Sequence, residues 1–437
     1  MNLNSLWAFI VGLTKTKLVQ NAAIYTGAEV LNKAIPFVLL PVMTRYLTPA
    51  DYGVVATFTA FVSILGVFVG LGAHGAVTVN FFRLHSNEIS KYIANVLLIL
   101  LISGGVVLFL LFVLQDLIVT KLSITSAWIF MGLLLAAGQF ITSINLILWQ
   151  MEERATAYAV YQIAQTALNV IVTLILVAGF RLGWFGRLAG IATATVLFAV
   201  MSLGFIFWRG YVKFEVNGSY IRDALNFSVP LIPHDLSGWL RTGVDRFLLA
   251  SILGMSATGL YAVGYQVGFV IGVVAAAVNL AWRAFLFNKL IHIGETGKIK
   301  LVKAIYGYCA VILFLSVTLG VVSPWLVKVF LGKNFKSASG FVLWIALGYA
   351  FDGMYYMVVN QVFFMKKTKW LAPITFSSGI LHVILSYTLI KLNGPIGAAQ
   401  ATALSFLISL IMVWILSARV YPLPWLFWRQ EQAVAGT

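Results

Sequence analysis

Charge is what this sequence has least of. Asp, Glu, Lys and Arg make up 10% of its 437 residues, against roughly 25% in a soluble domain of average usage. With 61% hydrophobic residues and a mean hydropathy of +0.97, the chain cannot cover a water-facing surface, so a soluble fold is excluded. Cysteine is almost absent too. The one Cys309 sits inside an apolar run, which rules out an internal disulfide framework. No GxxxxGK[ST] run occurs, so nucleotide hydrolysis by the P-loop route is not expected. No HExxH or Cys/His cluster offers a catalytic metal. Asp51 and Asp116 are nearly all the acid the outer loops offer, which leaves little for glycosyl chemistry by paired carboxylates. Neither an enzyme nor a cofactor is expected.

What is present in quantity is the long apolar run. A membrane barrel would need segments of about ten alternating residues. Runs such as "YIANVLLILLISGGVVLFLLFVL" from Tyr92 instead approach the roughly 20 residues a spanning helix needs. The expected fold is all-α and polytopic, with about twelve spans near 18–44, 52–81, 91–115, 124–149, 156–180, 186–208, 224–252, 258–287, 301–323, 339–364, 370–390 and 396–417. Residues 1–13 are too short to span and lack a cleavage site, so an interfacial helix is expected there and no removed signal peptide. The net charge of +16 is spread between apolar runs rather than gathered into a domain, which argues against nucleic acid. Eighteen of the 29 Lys and Arg fall on one side of the spans, and the positive-inside rule makes that side, with both termini, cytoplasmic. Arg45, Lys121, Arg181, Arg187 and four lysines fall on the other.

The chain also repeats itself. "TRYLTPADYGVVA" from Thr44 has the pattern of "SILGMSATGLYAVG" from Ser251, and "AGIATATVL" from Ala189 that of "IGAAQATAL" from Ile396. A shift of about 206 residues lays every span of one half on a span of the other. The expected organisation is an N-terminal lobe (1–209), a cytoplasmic linker (210–223) and a C-terminal lobe (224–437). An even number of spans in each makes the repeat parallel, a recognised transporter architecture. The two quoted turns are then equivalent outer turns.

An ionisable group inside a span costs about 2.5 kcal/mol or more on insertion scales, so each is a functional candidate. The first span carries Glu29 and Lys33. The seventh carries His234, Asp235, Arg241, Asp245 and Arg246, among Pro230 and Pro233. Glu29 and Asp235 coincide under the repeat. Arg241, Arg246, Lys33 and His234 are the candidates for binding an anion. Glu29, Asp235 and Asp245 are candidates for coupling or for simple charge pairing, since Glu29–Lys33 and Arg241–Asp245 are spaced i,i+4. His74 and His382 lie among small or apolar residues and read as packing histidines.

"PFVLLPVMTRYLTPADYG", "GLGAHGAVTVNFFR" and "GVDRFLLASILGMSATGLYAVGYQVG" together resemble the polysaccharide-exporting flippases of the Wzx type, within the multidrug, oligosaccharidyl-lipid and polysaccharide exporter superfamily. The resemblance runs over nearly the whole chain, and the "RYLTPADYG" turn is its most specific element. It implies a bacterial inner-membrane protein that turns a polyprenyl-pyrophosphate-linked oligosaccharide from the cytoplasmic to the outer leaflet, by alternating access of two lobes around a cationic cavity. It implies a role in O-antigen, lipopolysaccharide or related assembly, alongside a polymerase and a chain-length regulator. Glu29, Asp235 or Asp245 could couple transport to protons or sodium, though no motif shows this. Two other readings stand beside it: a cation-coupled multidrug exporter of the same superfamily, and a membrane-embedded glycan polymerase or ligase.

Overall fold

The computed structural model describes residues 17–122, 124–291 and 293–426; the expected interfacial helix at 1–13 lies outside them. Every regular element among the described residues is helical, and eleven helical stretches are long and apolar enough to cross a bilayer. The protein is an all-α polytopic membrane protein. Its backbone hydrogen bonds close within each helix, which hydrocarbon demands.

Tertiary contacts divide the chain into two compact units, Met1–Leu236 and Ser237–Thr437. The first holds α1 (Lys17–Tyr46), α2 (Pro49–Phe68), α3 (His74–Asn80), α4 (Ser86–Leu122), α5 (Ser126–Met151), α6 (Ala155–Leu174), α7 (Gly183–Trp208) and α8 (Gly218–Ser228). Helix α9 (Ile232–Thr242) carries the division. The second unit continues with α10 (Val244–Leu253), α11 (Met255–Gly268), α12 (Val270–Ile291), α13 (Glu295–Phe330), α14 (Ser339–Phe364), α15 (Leu371–Asn393) and α16 (Pro395–Val420).

The two quoted turns separate equivalent helices. The first joins α1 to α2 at Leu47–Thr48, where Thr48 and Asp51 form a reciprocal capping box and Pro49 opens the helix. The second joins α10 to α11 at Gly254, whose φ of 86° is one glycine tolerates freely. Pro49 and Met255 lie 206 positions apart. The spacing then drifts: α5 and α14, 26 residues each, start 213 apart. A 3₁₀ turn at Lys333–Ala338, before α14, takes up most of the difference. Small residues repeat as well. Gly138 faces Thr195 and Ala199 in the first unit and Gly348 faces Thr402 and Phe406 in the second, close approaches of the kind that drive helix association in lipid.

Three expected spans are broken. The stretch 52–81 ends as α2 at Phe68, turns through Gly70–Gly72 and resumes as α3. The stretch 258–287 is interrupted at Phe269. The seventh, 224–252, is a train of short helices, α8 to α10, with a 3₁₀ turn at Val229–Leu231. Pro230 and Pro233 lack the N–H that an uninterrupted ladder requires there, and Gly243 separates Thr242 from Val244.

The linker segment is strapped along the start of α4. Ser90 Oγ donates to the Gly210 carbonyl at 2.9 Å, Asn95 Nδ2 to the Glu215 carbonyl at 2.8 Å, and the Asn217 N–H to Asn95 Oδ1 at 3.0 Å. Lys91 pairs with Glu215. At the strap's root Glu152 accepts from both Arg209 and Tyr211, and the Arg209 guanidinium lies 5.0 Å from the Tyr211 ring centroid. Burial, then the hydrogen bond to Glu152 and its charge, push the Tyr211 phenol up to about 12.

Candidate functional site

The charges of the seventh stretch separate on folding. Asp245 stands in the first turn of α10 and is fully buried (0% exposed). Its i−4 partner in sequence, Arg241, belongs to a different helix, α9, so the expected i,i+4 pair does not form. Asp245 turns instead into the second unit. Tyr261 Oη donates to Oδ2 at 2.6 Å, Ser386 Oγ to Oδ1 at 2.7 Å, and His382 Nε2 lies 3.1 Å from Oδ1. A carboxylate only accepts, so that imidazole nitrogen carries the proton. Its other nitrogen, Nδ1, meets Ser405 Oγ at 2.9 Å.

Aspartate, histidine and serine in a line resemble a hydrolytic relay. Here all three are enclosed, with Asp245 and His382 at 0% and Ser405 at 1% exposure, and a substrate has no way to the hydroxyl. A second serine, Ser386, bonds the same carboxylate. The arrangement holds one buried negative charge with donors from α11 and α15, as the interior requires of any buried ion.

With its carboxylate neighbour occupied, Arg246 points elsewhere. Successive residues of a helix diverge by about 100°, and the Arg246 guanidinium lies 4.1 Å from the Tyr265 ring centroid and 5.7 Å from that of Tyr261. It donates to the Thr242 carbonyl, while Tyr265 and Tyr349 join hydroxyls beneath it. Arg241 lies 5.5 Å from the Phe406 centroid, with its Nε buried and unpartnered. Asp352, hydrogen-bonded by Tyr356, lies within coulombic reach of it. Among the described residues neither guanidinium forms an ion pair. Two half-buried arginines on aromatic faces, with donors to spare, can hold a phosphate by charge-assisted hydrogen bonds.

The other candidates fall in the first unit. His234 and Asp235 are exposed in the first turn of α9. Glu29 is exposed on α1 near the Tyr158 hydroxyl, and the Lys33 side chain lies outside the described residues. Arg187, counted on the outer side at the start of the span 186–208, stands one turn inside α7 and donates to Asn169 Oδ1 and Thr173 Oγ1 at 2.9 Å each. The chain reverses at Arg181–Gly183, where Arg181 and Gly183 hold left-handed φ values, and the helix begins at Gly183, three residues before the expected span. Sequence reasoning also missed His382 as a partner of Asp245. Its one signal, Ser386 a helical turn further on, does not name an acid 137 residues away.

An all-helical fold of this kind is one that solved membrane transporters share. The lipid II flippase MurJ, in an inward closed conformation, superposes with a TM-score of 0.70 over 90% of this chain and 86% of its own, at 15% identity. A multidrug resistance MATE family transporter of the MOP superfamily, inward-facing, gives 0.67 over 91% and 94%, at 14% identity. The chain itself belongs to the polysaccharide biosynthesis protein family, whose model matches residues 18–282. An uncharacterized membrane protein of Haemophilus influenzae is 26% identical over 366 residues, 80% of this chain and 85% of the relative.

Proposed function

We propose that the protein is a flippase for lipid-linked oligosaccharides. It carries an oligosaccharide on polyprenyl pyrophosphate from the cytoplasmic to the outer leaflet of a bacterial inner membrane by alternating access, for assembly of O-antigen or a related surface polysaccharide. The observation that carries the reading is that Arg241 and Arg246, each over an aromatic ring, form no ion pair among the described residues. A pyrophosphate cannot cross hydrocarbon unpaired, and two guanidiniums not closed into salt bridges can replace its hydration with charge-assisted hydrogen bonds. Membership of a polysaccharide biosynthesis family supports the glycan cargo. An amphipathic cationic drug would be repelled by the same groups.

Coupling, where transport is driven, falls to protons or sodium. Glu29 and Asp235 are the exposed acids for it, and Asp245 is the buried one. A polymerase and a chain-length regulator are the partners such a product calls for. The test is export of surface polysaccharide in cells carrying Arg241→Ala or Arg246→Ala at matched protein levels. Export reduced by either variant supports the reading, and full export by both removes it.

A further inference from the structure

The first unit holds a cavity that headgroup chemistry leaves unused. About 520 Å³ in volume, it is bounded by Leu65 and Phe68 of α2, Leu71, Ile221 and Leu225 of α8, and one face of α4 from Ile99 to Leu114. That is the size of an ordinary ligand site. Ser103 is the one polar residue among those lining it, and its hydroxyl is spent. It donates to the Ile99 carbonyl at 2.7 Å and accepts the Gly70 N–H at 2.8 Å. A sugar, phosphate or drug cation placed here would leave its own polar groups unpaired.

The walls are built rather than incidental. Gly70, Leu71 and Gly72 are three consecutive left-handed residues, with φ of 78°, 52° and 69°. Leu71 has a Cβ and holds that conformation at a cost of about 1–2 kcal/mol, strain of the kind that collects at functional positions. The turn swings Leu71 to the cavity. On the far side Asp223 ties α8 down by accepting from Asn80 Nδ2 at 2.9 Å and Tyr92 Oη at 2.8 Å, which sets Ile221 and Leu225 inward one helical turn apart. Along α4, a Cβ added at Gly104 or Gly105 would meet nothing within 4 Å. The equivalent long helix of the second unit is closed: at Gly320 of α13 the same Cβ would fall 2.5 Å from Leu343.

We infer that this cavity seats the polyprenyl chain of the transported lipid; the inference rests on the flippase reading above. Its lining accepts only hydrocarbon, and its length selects which. From Ile99 to Leu114 it follows about 22 Å of helix axis, whereas one leaflet of a bilayer core roughly 30 Å thick is about 15 Å deep. A chain that fills it reaches past the depth of one leaflet, as a long prenyl chain can. The α4 edge lies open to the surrounding lipid, with Leu101 71% and Val106 56% exposed, so a tail enters sideways while its polar head travels elsewhere.

The experiment is photo-crosslinking of the full-length protein in nanodiscs. The probes are undecaprenyl phosphate bearing a diazirine on its chain and a phospholipid bearing one on its acyl tail, with labelled peptides mapped by mass spectrometry. The prenyl probe should label the 99–114 peptide, and unlabelled undecaprenyl phosphate should displace it. Ile102→Trp and Val107→Trp, which fill the cavity, should each cut that labelling by about tenfold or more, the equivalent of roughly 1.4 kcal/mol of binding. Leu101→Trp, on the lipid-facing side, should leave it unchanged. Equal labelling by the phospholipid probe, not displaced by prenyl lipid, would make this a site for bulk lipid and overturn the inference. Saturable prenyl labelling elsewhere in the chain, unmoved by the tryptophans, overturns the site and leaves the flippase reading intact. No saturable prenyl labelling anywhere removes both. Mapping on the unmodified protein decides these outcomes even if a tryptophan variant fails to fold.

Discussion

His382→Ala tests the buried charge directly. The substitution removes the N–H that Asp245 accepts at 3.1 Å and the nitrogen that Ser405 meets at 2.9 Å, and opens a void at a site with no solvent exposure. A hydrogen bond to a charged group contributes about 1.5–3 kcal/mol, and leaving a buried charge short of its partner costs about 3–5 kcal/mol. Tyr261 and Ser386 still donate to the carboxylate, which places the expected loss near 3 kcal/mol, at the low end. Asp245→Asn keeps the volume but turns an NH₂ toward one of those donors, for a loss of about 2–3 kcal/mol. In the double variant no charge is left to compensate, so the two losses should overlap by about 1–3 kcal/mol. Reversible unfolding of the four proteins in bicelles measures this. Losses that add to within about 0.5 kcal/mol would show that the two side chains do not share the bond and would refute the account of this cluster.

Arg246→Lys should fail to restore export lost in Arg246→Ala, because an ammonium lacks the planar face that lies on Tyr265 and the fork that grips a phosphate; export equal to the parent's would contradict the stacked geometry. Gly70→Ala should destabilise the first unit by at least about 1–2 kcal/mol in thermal unfolding, since φ is 78° and the new Cβ would fall 2.2 Å from Phe140; an unchanged transition would mean the left-handed turn is not the native one. Glu152→Gln should speed proteolysis of the 210–217 segment by loosening Arg209 and Tyr211. The Tyr211 phenol is raised, so its protonated form is favoured in the fold. Its contribution is therefore present below the ordinary value near 10 and lost as pH climbs toward about 12. Protease resistance that instead fell between neutrality and pH 10 would contradict that strap.

The spans were legible because the bilayer demands about 20 apolar residues for each, and composition alone satisfies or fails that demand. The seventh stretch was less legible. Its prolines and Gly243 were visible, but an apolar length of 29 residues concealed the division into α8, α9 and α10. The consequence reached the site, since that division is what parts Arg241 from Asp245. Arg246 could be singled out from its lack of an i,i+4 partner, whereas Asp245's partners could not: Tyr261, His382 and Ser386 come from two other helices, and intrahelical spacing says nothing of them. Arg187 was legible at the end of a span, but its partners Asn169 and Thr173 on the preceding helix were not, because charge counting says nothing of neighbouring helices. The apolar cavity was invisible for a simpler reason. Leu, Ile and Val read the same whether they face lipid, a neighbouring helix or a ligand.

The measurement that tests the central claim most directly is the sidedness of lipid-linked sugar. Spheroplasts of a strain lacking the protein are treated with a membrane-impermeant glycan-modifying enzyme, and again after the gene is restored. The account predicts complete repeat units that accumulate shielded in its absence and become accessible on its return. Units equally accessible in both, with only polymer length or attachment lost, would contradict it and point to a polymerase or ligase.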